Sequence, residues 1–200
     1  MLEVVKPHLF LASETWNKKD TISIHQDYAS LISKPANYEG CAIFYRKELE
    51  IRPFREHQWT LNYIFAKMHK TIIISVYLNP REPEQQLETV MWHSNQFRDE
   101  GYDILMAGDF NLKEDYLREK TEGYHISRNA GATRRGRNAN RAIDHIVSTH
   151  RMTGVTHVDT RSKSDHIPFQ SEVTLELATP ETTPIRYNIR KNVTHEQITE

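Results

Sequence analysis

The sequence predicts an α+β domain built on packed β-sheets. Three observations predict it. Eight short apolar runs, rich in β-branched and aromatic residues, are bounded by turn signals. One strong helical pattern lies among them. The 200 residues, 38% hydrophobic and 10% aromatic, suit one large domain with a real core.

The strand expectations run in chain order: LFLASE (9–14), YASLIS (28–33), CAIFYR (41–46), YIFAKM (63–68), TIIISVY (71–77), DILMAG (103–108), AIDHIVS (142–148) and VTLEL (173–177). His69-Lys70 is short enough to close a hairpin between two of them. The helix begins near Pro83, which suits a first turn. Leu87, Val90, Met91, Ser94 and Phe97 share a face, and Gly101 supplies a stop. LEVVK reads as the last turn or two of another helix, ended before Pro7. Residues 112–141 form a long polar span, which is more often functional or mobile than a simple connection. Residues 178–200 lose strand patterning and read as a linker or tail.

Composition removes several function classes. Mean hydropathy is -0.69, and no apolar run approaches the ~20 residues that span a bilayer. MLEVVKPHLF carries Glu3 and lacks a basic or long apolar region, so no signal peptide is expected. Cys41 is the one cysteine, which rules out an intrachain disulfide and fits a reducing compartment. The sequon at Asn192 reads as chance. A net charge of -1 means that any polyanion affinity must come from local clustering.

Four carboxylates share a context. Glu14 ends LFLAS, Asp109 ends DILMAG, Asp144 lies in RAIDHIVS, and Asp165 precedes His166 in KSDHIPF. Singly, each reads as a turn or cap residue. Together they stand where strand ends can converge on one rim. Oxygen ligands suit a hard divalent cation such as Mg²⁺. A carboxylate beside a histidine orients the imidazole and favours its cation. Asp109 and Asn111, two apart in an extended segment, would point one way, with Phe110 toward the core. Tyr77 reads first as a packing aromatic, and Trp16 as a core or rim residue. His8, His25 and His93 read as structural or exposed. Arg128, Arg134, Arg135, Arg137 and Arg141 form a cluster, and no Asp or Glu interrupts residues 123–143. Such a cluster is either a solvated surface or a docking strip for a nucleic-acid backbone.

SETW (13–16), VY (76–77), GDFN (108–111), ID (143–144) and SDH (164–166) occur in that order. This series resembles the endonuclease/exonuclease/phosphatase superfamily, over about residues 7–177. Within it the chain most resembles the endonuclease domain of LINE-type retrotransposons. GATRRGRNANRAIDHI resembles their Thr-x-x-Gly-Arg…Ile-Asp stretch, and IRYNIRK (185–191) the segment leading into their reverse transcriptase.

The resemblance implies a DNase I-like four-layer sandwich, two packed sheets flanked by helices. It implies a nuclease domain over 1–178, with 179–200 leading toward a reverse transcriptase region. The implied activity is DNA nicking dependent on Mg²⁺ or Mn²⁺. Glu14 would bind metal, with Asp165 assisting metal or water. Asp109 would position or deprotonate the attacking water, with Asn111 beside it. Tyr77 would donate a hydrogen bond to the phosphate. His166 would contact the phosphate or transfer a proton, paired with Asp144. The arginines would hold DNA. The expected setting is a monomeric domain of a larger polyprotein, intracellular, nuclear when acting on DNA, without a membrane partner. An apurinic-site endonuclease, a lipid or nucleotide phosphoesterase and an inactive fragment remain open.

Two departures stand out. Members of the superfamily open on a strand ending in an Asn. Here the chain opens at the following helix, so the first strand is absent and a gap or open edge in a sheet is expected. Glu39-Gly40 stands where the pattern has Gly-Gly.

Overall fold

Every residue of TIIISVY is buried, and together they form the strand around which the protein is layered, β6 (Thr71–Tyr77). Ile72, Ile74 and Val76 enter one core, while Ile73 and Tyr77 enter another. A strand buried on both faces has no polar side to show, hence its unbroken apolar run. We describe this architecture from a computed structural model covering residues 5–16, 25–34, 39–127, 131–135, 141–158 and 164–175.

β5 (Tyr63–Met68) meets β6 as an antiparallel hairpin, and His69 takes a φ of 51° in its turn. Beyond β6 the chain crosses over through helix α1 (Pro83–Asp99), which ends before Gly101 at φ 86°. It returns as β7 (Asp103–Asp109), parallel to β6, with Tyr77 paired to Asp109. A parallel neighbour requires such a crossover. β9 (Asp144–Ser148) pairs antiparallel with β7, and Asp144 lies opposite Asp109. β4 (Ile51–Pro53) and β8 (His125–Ile126) complete a six-stranded sheet ordered β4-β5-β6-β7-β9-β8.

The second sheet is β1 (Leu9–Ser13), β3 (Cys41–Arg46) and β2 (Tyr28–Ile32), in the order β1-β3-β2. Its inner face meets the large sheet through Leu9, Leu11, Cys41 and Ile43, which pack with Ile64, Ile73 and Tyr77. On the far side of the large sheet, Leu87, Val90, Met91 and Phe97 of α1 cover Ile72, Ile74, Ile104 and Met106. Helix, sheet and sheet are thus the layers among the described residues. This is the expected mixed α and β sandwich. No helix among these residues is long and apolar enough to cross a membrane.

Several local expectations change. Strand β11 is Phe169–Val173, paired with β10 (Met152–His157), so the strand precedes the run at 173–177. It is half-buried, alternating intermediate and exposed positions, and carries no continuous apolar signal. Residues 112–141 hold helix α2 (Glu114–Lys120) and β8, with Leu112, Leu117 and Ile126 buried. One buried leucine in a charged helix leaves too little periodicity to read. Val5 is helical, whereas the rest of the expected opening helix and residues 176–200 lie outside the described residues.

The strand pairings leave a groove among the described residues. β1 pairs with β3 and β11 with β10, and a groove of about 1660 Å³ lies between β1 and β11. Leu105, Ala107 and Ile146 of the large sheet line it, and Asp144 and His166 reach its wall.

Gly108 sets how closely β7 approaches β6. Its φ is 149°, and a Cβ there would lie 1.9 Å from the Val76 carbonyl oxygen. Backbone cannot yield as a side-chain tip can. Gly108→Ala should therefore be among the most damaging single changes, costing ~3–5 kcal/mol. Urea denaturation against the parent measures the loss. An unaltered midpoint would show that the strands do not depend on this approach.

Candidate active site

Register builds the centre of the site. Tyr77, Asp109 and Asp144 form one row across β6, β7 and β9. All three are buried, Asp109 almost fully at 1% exposed. Glu14 comes from the other sheet, just past β1, in a left-handed conformation with φ 50°. Ser75 Oγ donates to the Ala12 carbonyl at 3.2 Å, tying β1 to β6. The amides of Thr15 and Trp16 donate to the carbonyls of Gly40 and Glu39, each at 3.3 Å. A Cβ at Gly40 would come within 2.7 Å of Thr15 Oγ1, so the retained glycine of the Glu39-Gly40 pair is the one the turn needs.

His166 enters from the segment before β11. Its Nδ1 donates to Asp144, 2.9 Å from Oδ2 and 3.0 Å from Oδ1. Its Nε2 faces Asp109 Oδ2 at 3.8 Å. The hydrogen bond to Asp144 raises the imidazole to about 9, against the opposition of burial. His166 is therefore a cation at neutral pH. Burial and the negative charge of Asp144 push Asp109 up to about 7, although His166 pulls it down. Burial, then Glu14 and Asp109, raise the Tyr77 phenol well above its ordinary value. The phenol stays protonated and can donate.

The other candidates fall in different places. Asn111 leaves the extended path: its φ is 50°, its amide donates to Asp109 Oδ1 at 2.9 Å, and its Nδ2 donates to the Leu78 carbonyl at 2.8 Å. It fixes the turn after β7 and the carboxylate above it. Phe110 points into the core as expected. Asp165 is exposed, and its Oδ2 accepts from Arg134, with both Nε and Nη2 at 2.8 Å. Burial opposes its ionisation, but Arg134 outweighs that and lowers its pKa. Arg135 and Arg141 are exposed, while Arg128 and Arg137 lie outside the described residues. Trp16, at 55% exposed, is not a core residue. His93 is buried among Tyr63, Phe65 and Phe97. His145 is fully buried, its Nε2 3.0 Å from the Leu112 carbonyl.

Donor atoms of Glu14, Asp109 and His166 lie within 4.8 Å of one another. Two carboxylates at that spacing fit a hard divalent cation that keeps waters. A protonated imidazole has no lone pair to give. With His166 cationic, the fit rests on Glu14 and Asp109, and His166 is a second positive charge beside them.

The chain has the DNase I-like fold. No protein-family profile and no curated protein matches its sequence. Among solved structures it is similar to the endonuclease domain of TRAS1, a telomere-specific non-LTR retrotransposon (TM-score 0.69, 14% identity, covering 88% of this chain and 90% of that one). It is also similar to an AP endonuclease from Archaeoglobus fulgidus (TM-score 0.59, 15% identity, 87% and 91% covered). A third similar structure is a truncated TDP2 from Caenorhabditis elegans (TM-score 0.61, 13% identity, 88% and 87% covered). These structures belong to the endonuclease/exonuclease/phosphatase superfamily, and the chain shares their fold.

Asp109 carries a stability consequence. An unfolded aspartate titrates near ~3.9, and the folded one near 7. Between those values the folded state holds the extra proton, so stability falls as pH rises through that window. Asp109→Asn removes the buried charge. In EDTA at pH 8 the variant should be more stable than the parent, on the order of 1–3 kcal/mol, and the gap should close toward pH 4. Chemical denaturation at both pH values checks this. A variant less stable than the parent at pH 8 would contradict it.

Proposed function

We propose that the chain is a metal-dependent phosphodiester hydrolase that nicks DNA, in the manner of a retrotransposon endonuclease. The observation that carries this reading is the row Tyr77, Asp109 and Asp144, with His166 held as a cation against it and Glu14 opposite. The fold supports hydrolysis of a phosphate ester. The arginines beside His166 favour DNA over a lipid substrate.

Each residue then has a chemical task. Asp109 orients a water and takes its proton as the new oxygen–phosphorus bond forms and the bond to the leaving oxygen breaks. Charge growing on the phosphoryl oxygens meets the His166 imidazolium and the Tyr77 hydroxyl. Asp144 keeps His166 charged and aimed. Asn111 holds the Asp109 carboxylate. Glu14 and Asp109 would hold Mg²⁺ or Mn²⁺, with Asp165 near the outer side. Bound there, the cation would supply Lewis-acid stabilisation of the phosphate and the leaving oxygen. In this reading residues 1–178 are the nuclease domain of a polyprotein, 179–200 lead toward a reverse transcriptase, and the enzyme acts in the nucleus.

Supercoiled plasmid with Mg²⁺ is the direct test, run beside an abasic duplex and a phospholipid. Nicked circles should form, EDTA should stop them, and Asp109→Asn should slow nicking ~10²–10⁴-fold. Cleavage confined to the abasic duplex or the phospholipid would replace this reading. Full activity in the Asp109 variant would remove Asp109 from the chemistry.

The exposed Arg135 and Arg141 should position DNA without taking part in the reaction. Removing one arginine–phosphate pairing flattens log affinity against log salt by about 0.9. Arg135→Ala with Arg141→Ala should lower that slope, as measured in EDTA by fluorescence anisotropy. The nicking rate on saturating DNA should change far less than in the Asp109 variant. An unchanged slope would make these arginines ordinary solvated surface.

A further inference from the structure

We propose that Thr133 is the positioning residue that sets the Asp144–His166 pair. The inference deepens the hydrolase reading and rests on it for its kinetic arm. Thr133 is fully buried in a segment otherwise rich in charge. Its Oγ1 accepts the amides of Ile143 at 3.1 Å and Asp144 at 3.2 Å, where β9 begins. Its own amide donates to the Arg141 carbonyl at 3.1 Å, and its carbonyl accepts the Ile167 amide at 2.7 Å. One residue therefore grips the strand that carries Asp144 and the segment that carries His166.

The next two residues continue the stitch. Arg134 forms a bridge with His166, and the Arg135 amide donates to the Asp165 carbonyl at 2.6 Å. Asp144 and His166 are 22 positions apart in the chain, and their side chains meet at 2.9 Å. Hydrogen-bond distance between these two side chains demands that their backbones be closely fixed. Asp144 is anchored on one side by β7, opposite Asp109. The hydroxyl of Thr133 adds a hydrogen bond to its amide. Valine has the same shape but cannot accept a hydrogen bond. It would leave two buried amides without that acceptor, and the start of β9 would shift to find others. Serine keeps the acceptor.

Thr133→Val and Thr133→Ser separate the hydroxyl from the shape. In nicking of supercoiled plasmid, Thr133→Val should lower kcat ~10–100-fold with KM for the duplex near the parental value, and Thr133→Ser should recover most of the rate. A second readout needs no catalysis. The proton on His166 Nδ1, hydrogen-bonded to Asp144, should give a downfield NMR resonance, assigned by its disappearance in His166→Gln. It should broaden or vanish in Thr133→Val and persist in Thr133→Ser, in metal-free protein whose circular dichroism matches the parent. If Thr133→Val does not fold, Thr133→Ala takes its place, since water can reach the two amides past the smaller side chain. A parent that cleaves nothing but shows this resonance pattern overturns the hydrolase reading and keeps the positioning role. A Val or Ala variant that retains both resonance and rate, or a Ser variant as impaired as Val, overturns the positioning role.

Discussion

The approach of β7 to β6 at Gly108 is the constraint on which the site depends. With no Cβ at Gly108, β7 lies against the Val76 carbonyl, and the parallel register runs unbroken to Tyr77 and Asp109. β9 takes its register from β7, so Asp144 arrives opposite Asp109. Tyr77, Asp109 and Asp144 are thereby aligned in one row by the backbone ladder. Loops could not place them as well, since each loop residue adds torsions that no ladder holds.

That row concentrates negative charge, and the surrounding residues answer it. Three carboxylates, Glu14, Asp109 and Asp144, meet one imidazolium. Burial amplifies their mutual repulsion, because low dielectric screens charges poorly. The site relieves part of it by keeping Asp109 protonated up to about 7 and His166 charged up to about 9. Arg134 neutralises Asp165 outside this group. The remaining imbalance sits between Glu14 and Asp109, where a divalent cation would be most strongly attracted. The same imbalance would repel a polyanion, so cation binding and phosphate binding belong to one electrostatic balance.

The row is legible in the sequence, whereas its supports are hidden there. TIIISVY and DILMAG announce themselves, since strands buried on both faces must be apolar, and the helix between them follows from its periodic face. The carboxylates are legible because each interrupts or ends an apolar run. β10, β11 and α2 are not, because a half-buried strand and a helix with one buried leucine offer weak patterns. Asn111 reads as extended from its spacing, but its side chain competes for a local turn and its backbone turns left-handed. Thr133 carries no signal in composition or period, and in the sequence it stands out only as the threonine of the Thr-x-x-Gly-Arg stretch. That its buried hydroxyl and backbone join the start of β9 to the segment of His166 is seen only in the fold.

The two halves of the site rest on different foundations. Tyr77, Asp109 and Asp144 belong to the central sheet. Glu14 belongs to the smaller sheet, and His166 to the segment entering the β10–β11 hairpin. The groove between β1 and β11 separates those two flanking elements, and the wall it presents to the site includes Asp144 and His166. Leu9 and Leu11 on one side and Leu175 on the other pack onto the same core. A change in the width of that groove would therefore move Glu14 relative to His166 while Asp109 stays with the sheet. The ladder fixes where Asp109 stands. Packing between the sheets fixes how closely Glu14 and His166 close around it. Substitutions in that shared leucine core can thus alter the site's charge geometry without touching a polar residue.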